Sequence, residues 1–167
     1  KAGDAYAKAA RAYQDEAEKA AARGDHATAQ DLYERAAEAR AKAVAEYDKA
    51  RDTATREKII KQWQRQGVAW LGAAEAAEKN GDAAGAAKEY RRAAHAHRKA
   101  ASECANAPVQ REREAREMDL AGDYFRYAAE QSLADGDTAQ AIKDYEAAAQ
   151  AYREAAAATN DRARQQA

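Results

Sequence analysis

The chain has 167 residues, enough for one ordinary domain or one short solenoid. Its 28 basic and 29 acidic residues nearly cancel to a formal net charge of −1, so the overall charge favours neither nucleic acid nor an anionic membrane as partner. No apolar run approaches a membrane span, and the single Cys104 excludes an internal disulfide while leaving the redox compartment open.

Ala accounts for 53 residues. It is the best helix former, and it buries little area, so any core must be thin and held by a few large side chains. A disordered, Ala/Lys/Glu-rich chain is the competing reading; nine Tyr and two Trp, mostly at repeated offsets, argue against it. No signal peptide is visible. The chain begins at Lys1 rather than Met, as a processed or trimmed product would, and loss of a targeting segment fits that beginning. Localisation is left open.

In chain order, Asp4 is expected to cap a first helix running to about Arg23, with a seam of Tyr6, Ala10, Tyr13, Ala17 and Ala20. A turn follows at Gly24-Asp25. Gly accepts the left-handed conformation that ends a helix, and Asp can accept a hydrogen bond from the free N–H groups of the next one. The returning helix carries Ala29, Tyr33, Ala36, Arg40, Ala43 and Tyr47. Near Arg51–Thr55 lie caps but no Pro or Gly, so either a break or a continuous helix fits there.

The pattern then recurs. The second seam is Trp63, Gly67, Trp70, Ala74 and Ala77, with a turn at Gly81-Asp82 and a return through Ala86, Tyr90, Ala93, His97, Ala100 and Cys104. Asn106-Ala107-Pro108 marks a helix boundary, because Pro disfavours helical geometry in the residue before it. The third seam is Met118, Gly122, Phe125, Ala129 and Ser132, turning at Gly136-Asp137 and returning through Ala141, Tyr145, Ala148, Tyr152, Ala155 and Thr159. Beyond Asn160 the tail is expected to fray. Such a period marks a repeat architecture. The chain therefore reads as one all-α helical-repeat domain of three long antiparallel hairpins, at about 4–51, 55–105 and 108–160. Its six helices would stack as a short right-handed solenoid or close into a bundle. Tyr33, Tyr90 and Tyr145 are expected to fill the seams between Ala neighbours.

These residues resemble the tetratricopeptide family of helix–turn–helix repeats. The aromatic before the turn is matched by Tyr13, Trp70 and Phe125, and the small residue four later by Ala17, Ala74 and Ala129. The small, aromatic and small positions after the turn are matched by Ala29, Tyr33 and Ala36, by Ala86, Tyr90 and Ala93, and by Ala141, Tyr145 and Ala148. The family's Leu is Glu16, Ala73 and Ala128 here, its second aromatic is Ala20, Ala77 and Ser132, and its terminal Pro is Ala41, Arg98 and Arg153. The long arms look more like the hairpins of the soluble NSF attachment proteins. The resemblance implies a groove, lined by the first helix of each hairpin, that holds a protein or peptide segment. The positions carried over are Arg11, Gln14 and Glu18, then Val68, Leu71, Glu75 and Glu78, then Asp123, Arg126, Glu130 and Leu133. Glu18, Glu75 and Glu130 share one offset, which reads either as an acidic ladder suited to a basic or mixed-charge segment or, the preferred reading, as three exposed Glu that simply favour helix.

The sequence offers little chemistry besides. His95 and His97 point to roughly opposite sides of a helix, and Cys104 lies two turns from His97, about 10 Å away, too far for joint coordination. His97 is expected to pack at the seam, sharing its offset with Arg40 and Tyr152. No phosphate loop, nucleophile elbow or Glu-x-x-His pair occurs. No cofactor, metal or catalytic residue is expected, and an enzyme could arise only from scattered acid–base residues. Lys88, Arg92, His95 and Lys99, flanked by Arg91 and Arg98, form a basic stripe. It reads either as an anion patch or as a solvated face matched by acidic neighbours, and the second reading is preferred. The expected role is a non-catalytic protein-interaction module; the alternative is a structural protein whose Ala-rich helices self-associate into oligomers or filaments.

Overall fold

The computed structural model describes residues 1–50, 52–105 and 110–165. Among them are six helices and no strand: α1 (Ala2–Ala22), α2 (His26–Asp48), α3 (Thr53–Lys79), α4 (Ala83–Ala105), α5 (Arg111–Ala134) and α6 (Thr138–Gln165). The expected stop at Asn106-Ala107-Pro108 lies outside the described residues. At the first boundary the two-helix reading holds: α2 ends at Asp48, and the Asp52 carboxylate accepts from the Thr55 N–H at 2.6 Å to cap α3.

The three hairpin turns are built alike. Gly24, Gly81 and Gly136 have φ of 77°, 77° and 86°, a region that costs a Cβ-bearing residue about 1–2 kcal/mol. The Gly N–H bonds back to Ala21, Glu78 and Leu133, and the following Asp N–H to Ala20, Ala77 and Ser132, which satisfies carbonyls the helix end would leave free. The same Asp side chains then accept from the N–H of Thr28, Gly85 and Gln140 at 3.2, 2.8 and 2.9 Å. One Gly-Asp pair thus closes one helix and opens the next.

Each helix packs against its sequence neighbours, and among the described residues no packed interface joins α1 to α6. The hairpins therefore form an open stack, with α1, α3 and α5 on one side and α2, α4 and α6 on the other. Small seam residues let the helices interlock. The His97 ring fills the place of a Cβ on Gly67, the Tyr152 ring that of a Cβ on Gly122, and the Tyr33 ring that of one on Gly72. The main core is mostly Ala with Trp70, Tyr90, Tyr124 and Phe125 inserted. Among the described residues the largest completely enclosed side chains are Ile60, Glu89 and Cys104, so the core is as thin as the composition implies.

Three expectations need correction. Asp4 does not cap α1, whose first residue is Ala2; it sits in the first turn and accepts from the Tyr47 hydroxyl at 2.8 Å, while the Tyr47 ring covers Gly3. Of the three seam tyrosines, Tyr90 is buried at 5% exposure, Tyr33 is partly buried, and Tyr145 is 41% exposed. Tyr90 meets Tyr127 of the next hairpin, and α6 has no such neighbour. The tail beyond Asn160 continues as helix to Gln165.

Candidate functional site

The residues carried over from the resemblance lie on α1, α3 and α5. On α1, Gln14 links two neighbours: its carbonyl accepts from Arg40 Nη2 at 2.8 Å, and its amide donates to Glu18 at 3.2 Å. Arg11, Gln14 and Val68 line a cleft of about 520 Å³ between α1 and α3, whose floor is Arg40 of α2. Val68 is 47% exposed there, whereas Leu71 packs against the main core.

Further along α3, acids and tyrosines gather. Burial raises the pKa of the Tyr33 phenol, and the charges of Glu18 and Glu75 raise it further. The Tyr124 phenol is raised by burial and then by Glu75 and Asp123. Tyr90 is also raised by burial, then by its hydrogen bond to Glu78 at 2.8 Å, with Glu75 adding to the effect. The charge of exposed Glu75 thus bears on Tyr33, Tyr90 and Tyr124, and at Tyr33 it acts together with Glu18. Glu78 is held by Tyr90 and by the Gln131 amide of α5.

The α5 positions are engaged differently. Asp123 accepts from the Tyr152 hydroxyl at 2.7 Å. Arg126 pairs with Glu130 at 2.6 Å and lies over the Tyr127 ring, while Leu133 is 46% exposed at the helix end. The three Glu of the ladder are therefore not equivalent: Glu18 and Glu75 act on one ring, and Glu130 is neutralised by its own helix.

The deepest polar network joins α3, α4 and α5. His97 Nδ1 lies 2.7 Å from Glu117 Oε2, and Glu117 Oε1 accepts from the Gln64 amide at 2.5 Å. Gln64 in turn accepts from Arg113 at 2.9 Å, and Arg113 also holds both oxygens of Glu57 at 3.0 Å. A buried His–carboxylate pair is a shape that general-base sites use. Here His97 Nε2 faces the Gly67 backbone so closely that a Cβ would lie 2.3 Å from it, leaving no room for a reacting atom. The pair is packing with its polar groups satisfied on one side. Sequence reasoning found His97 but not Glu117. The available signal was position: Glu117 stands eight residues before Phe125, where Gln62 stands eight before Trp70.

The basic stripe of α4 is spoken for within the chain. Arg92 and Lys88 pair with enclosed Glu89 at 3.1 and 3.3 Å, Arg91 with Asp144 at 2.8 Å and Arg98 with Glu154 at 3.8 Å. Arg92 also lies 4.6 Å over Trp70 and Lys99 4.4 Å over Trp63, while His95 meets Phe125 edge-on. Among the described residues no three His, Cys, Asp or Glu gather as metal ligands would, and no helix is long and apolar enough to cross a membrane. Comparison of the chain with protein-family models gave no match, and neither did comparison with curated proteins.

Proposed function

We propose that this chain is a non-catalytic helical-repeat module, tetratricopeptide-like with long arms, that holds a basic or mixed-charge protein segment along the face made by α1, α3 and α5. The observation that carries the reading is Glu75. It is exposed, it makes no ion pair among the described residues, and its charge bears on the phenols of Tyr33, Tyr90 and Tyr124 from α2, α4 and α5. A cation approaching Glu75 meets a carboxylate that no base of the chain has already paired. Val68 and Leu133 offer apolar contact on the same helices. The basic cleft at Arg11 suits the acidic positions of a mixed-charge segment. Fluorescence anisotropy with labelled basic, mixed-charge and all-acidic peptides tests this: the first two bind saturably and the third does not. Equal binding of all three removes the reading.

A second reading, self-association, has its own support. Tyr6 and Tyr13 of α1 are 40% and 38% exposed, while the matching Trp63 and Trp70 are covered by the preceding hairpin. Ile142 and Tyr145 of α6 are 55% and 41% exposed, whereas Ala87 and Tyr90 at the same offsets are covered by the following one. A second copy stacked end to end would cover both faces. Light scattering across a concentration series separates the readings, since a concentration-independent monomer removes this one.

A further inference from the structure

Arg40 is a buried guanidinium without an acid. It is 3% exposed, its Nε has no hydrogen-bond partner, and the groups that meet it are the neutral side-chain carbonyls of Gln14 at 2.8 Å and Gln62 at 3.4 Å. An ionised group taken from water is costly unless a counter-charge meets it. The repeat itself shows what is missing. Arg40 and His97 hold the same offset in successive hairpins, and so do Gln62 and Glu117. At the second interface the buried base meets a carboxylate at 2.7 Å; at the first it meets an amide. Tyr152, at the same offset in the third hairpin, also finds an acid, Asp123.

Arg40 also differs in what lies above it. It lines the cleft of about 520 Å³ between α1 and α3, together with Lys8, Arg11 and Arg65, and Asp15 is the one carboxylate in that lining. None of these four cations makes an ion pair among the described residues. Burial, and then the charge of Arg65, pull the Arg40 guanidinium down to about 10. Among the described residues, Asp15 is the one acid set against these four cations, and it makes no ion pair with any of them.

We infer that the cleft between α1 and α3 is a binding site for an oxyanion, a phosphate or carboxylate group, with Arg40 as the buried donor at its floor and Lys8, Arg11 and Arg65 at its rim. A guanidinium presents donors in a planar fork matched to two oxygens of such a group, and a charge-assisted bond is stronger when partly desolvated. The site shares Arg11 with the face assigned above to segment binding, but its donor, Arg40, is not among the residues of that face, and the site does not require a segment.

The test is titration calorimetry of the full chain with inorganic phosphate and, separately, acetate, each against chloride at matched ionic strength. Saturable binding of either anion, with a melting temperature that rises with its concentration, is expected; the tighter of the two names the preferred group. A phosphoserine peptide run in parallel distinguishes a free anion from one carried on a chain, the latter binding at least about tenfold tighter. Two variants locate the site. Arg40→Gln removes the donor. Gln62→Glu rebuilds inside the chain the pairing seen at His97 and Glu117, and it should keep the fold, raise the melting temperature and lose at least about tenfold in anion affinity. Phosphate and acetate both behaving like chloride, or Gln62→Glu binding as tightly as the native chain, overturns the assignment.

Discussion

His97 and Glu117 meet at 2.7 Å with both side chains buried, one from α4 and one from α5, so the pair ties the second hairpin to the third. Truncating one partner leaves the other unsatisfied in a dry interface, which costs far more than the pair itself contributes. Glu117→Ala is expected to cost on the order of 3 kcal/mol by urea denaturation. Glu117→Gln keeps an acceptor for His97 and should lose clearly less. Equal losses would mean that volume rather than the polar contact is at stake.

Tyr90 and Tyr145 hold the same offset in successive repeats but not the same surroundings, at 5% and 41% exposure. Tyr90→Ala removes a ring that packs against Tyr127 and donates to Glu78, so a loss of about 3–5 kcal/mol is expected. Tyr145→Ala should cost less than about 1 kcal/mol in the monomer. If dilution destabilises native protein but not the Tyr145→Ala variant, the ring is covered by a second copy in solution.

This contrast marks what the sequence could say. The turns were legible because they depend on neighbours in the chain: Gly24, Gly81 and Gly136 take positive φ, and the next Asp caps the next helix. The seams were legible in part: helical spacing fixes one face and buries Ala10, Ala17 and Ala20, but Tyr6, Tyr13 and Tyr145, read into the same seams, stand exposed on the outer hairpins, where no neighbouring hairpin covers them. Contacts between hairpins were not, since they join residues 20 to 56 positions apart whose register depends on how whole helices stack. Gln64 with Glu117, Arg113 with Glu57 and Gln131 with Glu78 are of that kind. So is the difference between Glu75, whose charge reaches Tyr124 of the next hairpin, and Glu130 beside Arg126, which a shared offset conceals.

Cys104 is completely enclosed, and burial pushes its thiol up to about 11. The thiolate is the reactive form, so in the native protein near neutral pH both access and ionisation are suppressed. Labelling with a disulfide reagent should run roughly a hundredfold or more slower than in urea, at a rate set by opening of the α4–α5 region. Rapid labelling of the folded chain would show that this part of the stack is loose.

The pH dependence of stability should combine two opposite trends. Burial raises the Glu89 carboxyl above its ordinary 4.5, with Arg92 and Lys88 opposing and Glu34 adding to the rise. A folded state that holds this proton more tightly than the unfolded chain loses stability as pH rises from the unfolded value through the folded one. Asp25 and Asp52 behave oppositely: hydrogen bonds from Thr28 and Thr55 lower them from 3.8, so their contribution is present above that value and fades on acidification. Glu89→Gln removes only the first trend. Its urea midpoint relative to the native chain should therefore improve between about pH 4 and about pH 7. A constant difference across that range would show that Glu89 is not the group responsible.

If a basic or mixed-charge segment binds along α1, α3 and α5, the three Glu of the ladder should contribute unequally. Glu75 makes no ion pair among the described residues and its charge reaches Tyr33, Tyr90 and Tyr124, while Glu18 reinforces it at Tyr33. Glu130 already holds Arg126 at 2.6 Å and presents little net charge. Exposed pairings contribute about 0.2–1 kcal/mol each, so affinity should fall with salt. Reversing all three to Lys should abolish recognition, while the melting temperature stays nearly unchanged because none is buried. Taken singly, Glu75→Lys should weaken binding most and Glu130→Lys least. Anisotropy titrations of the single variants at two salt concentrations measure this order, and native-like binding by Glu75→Lys would rule out the groove as the binding face.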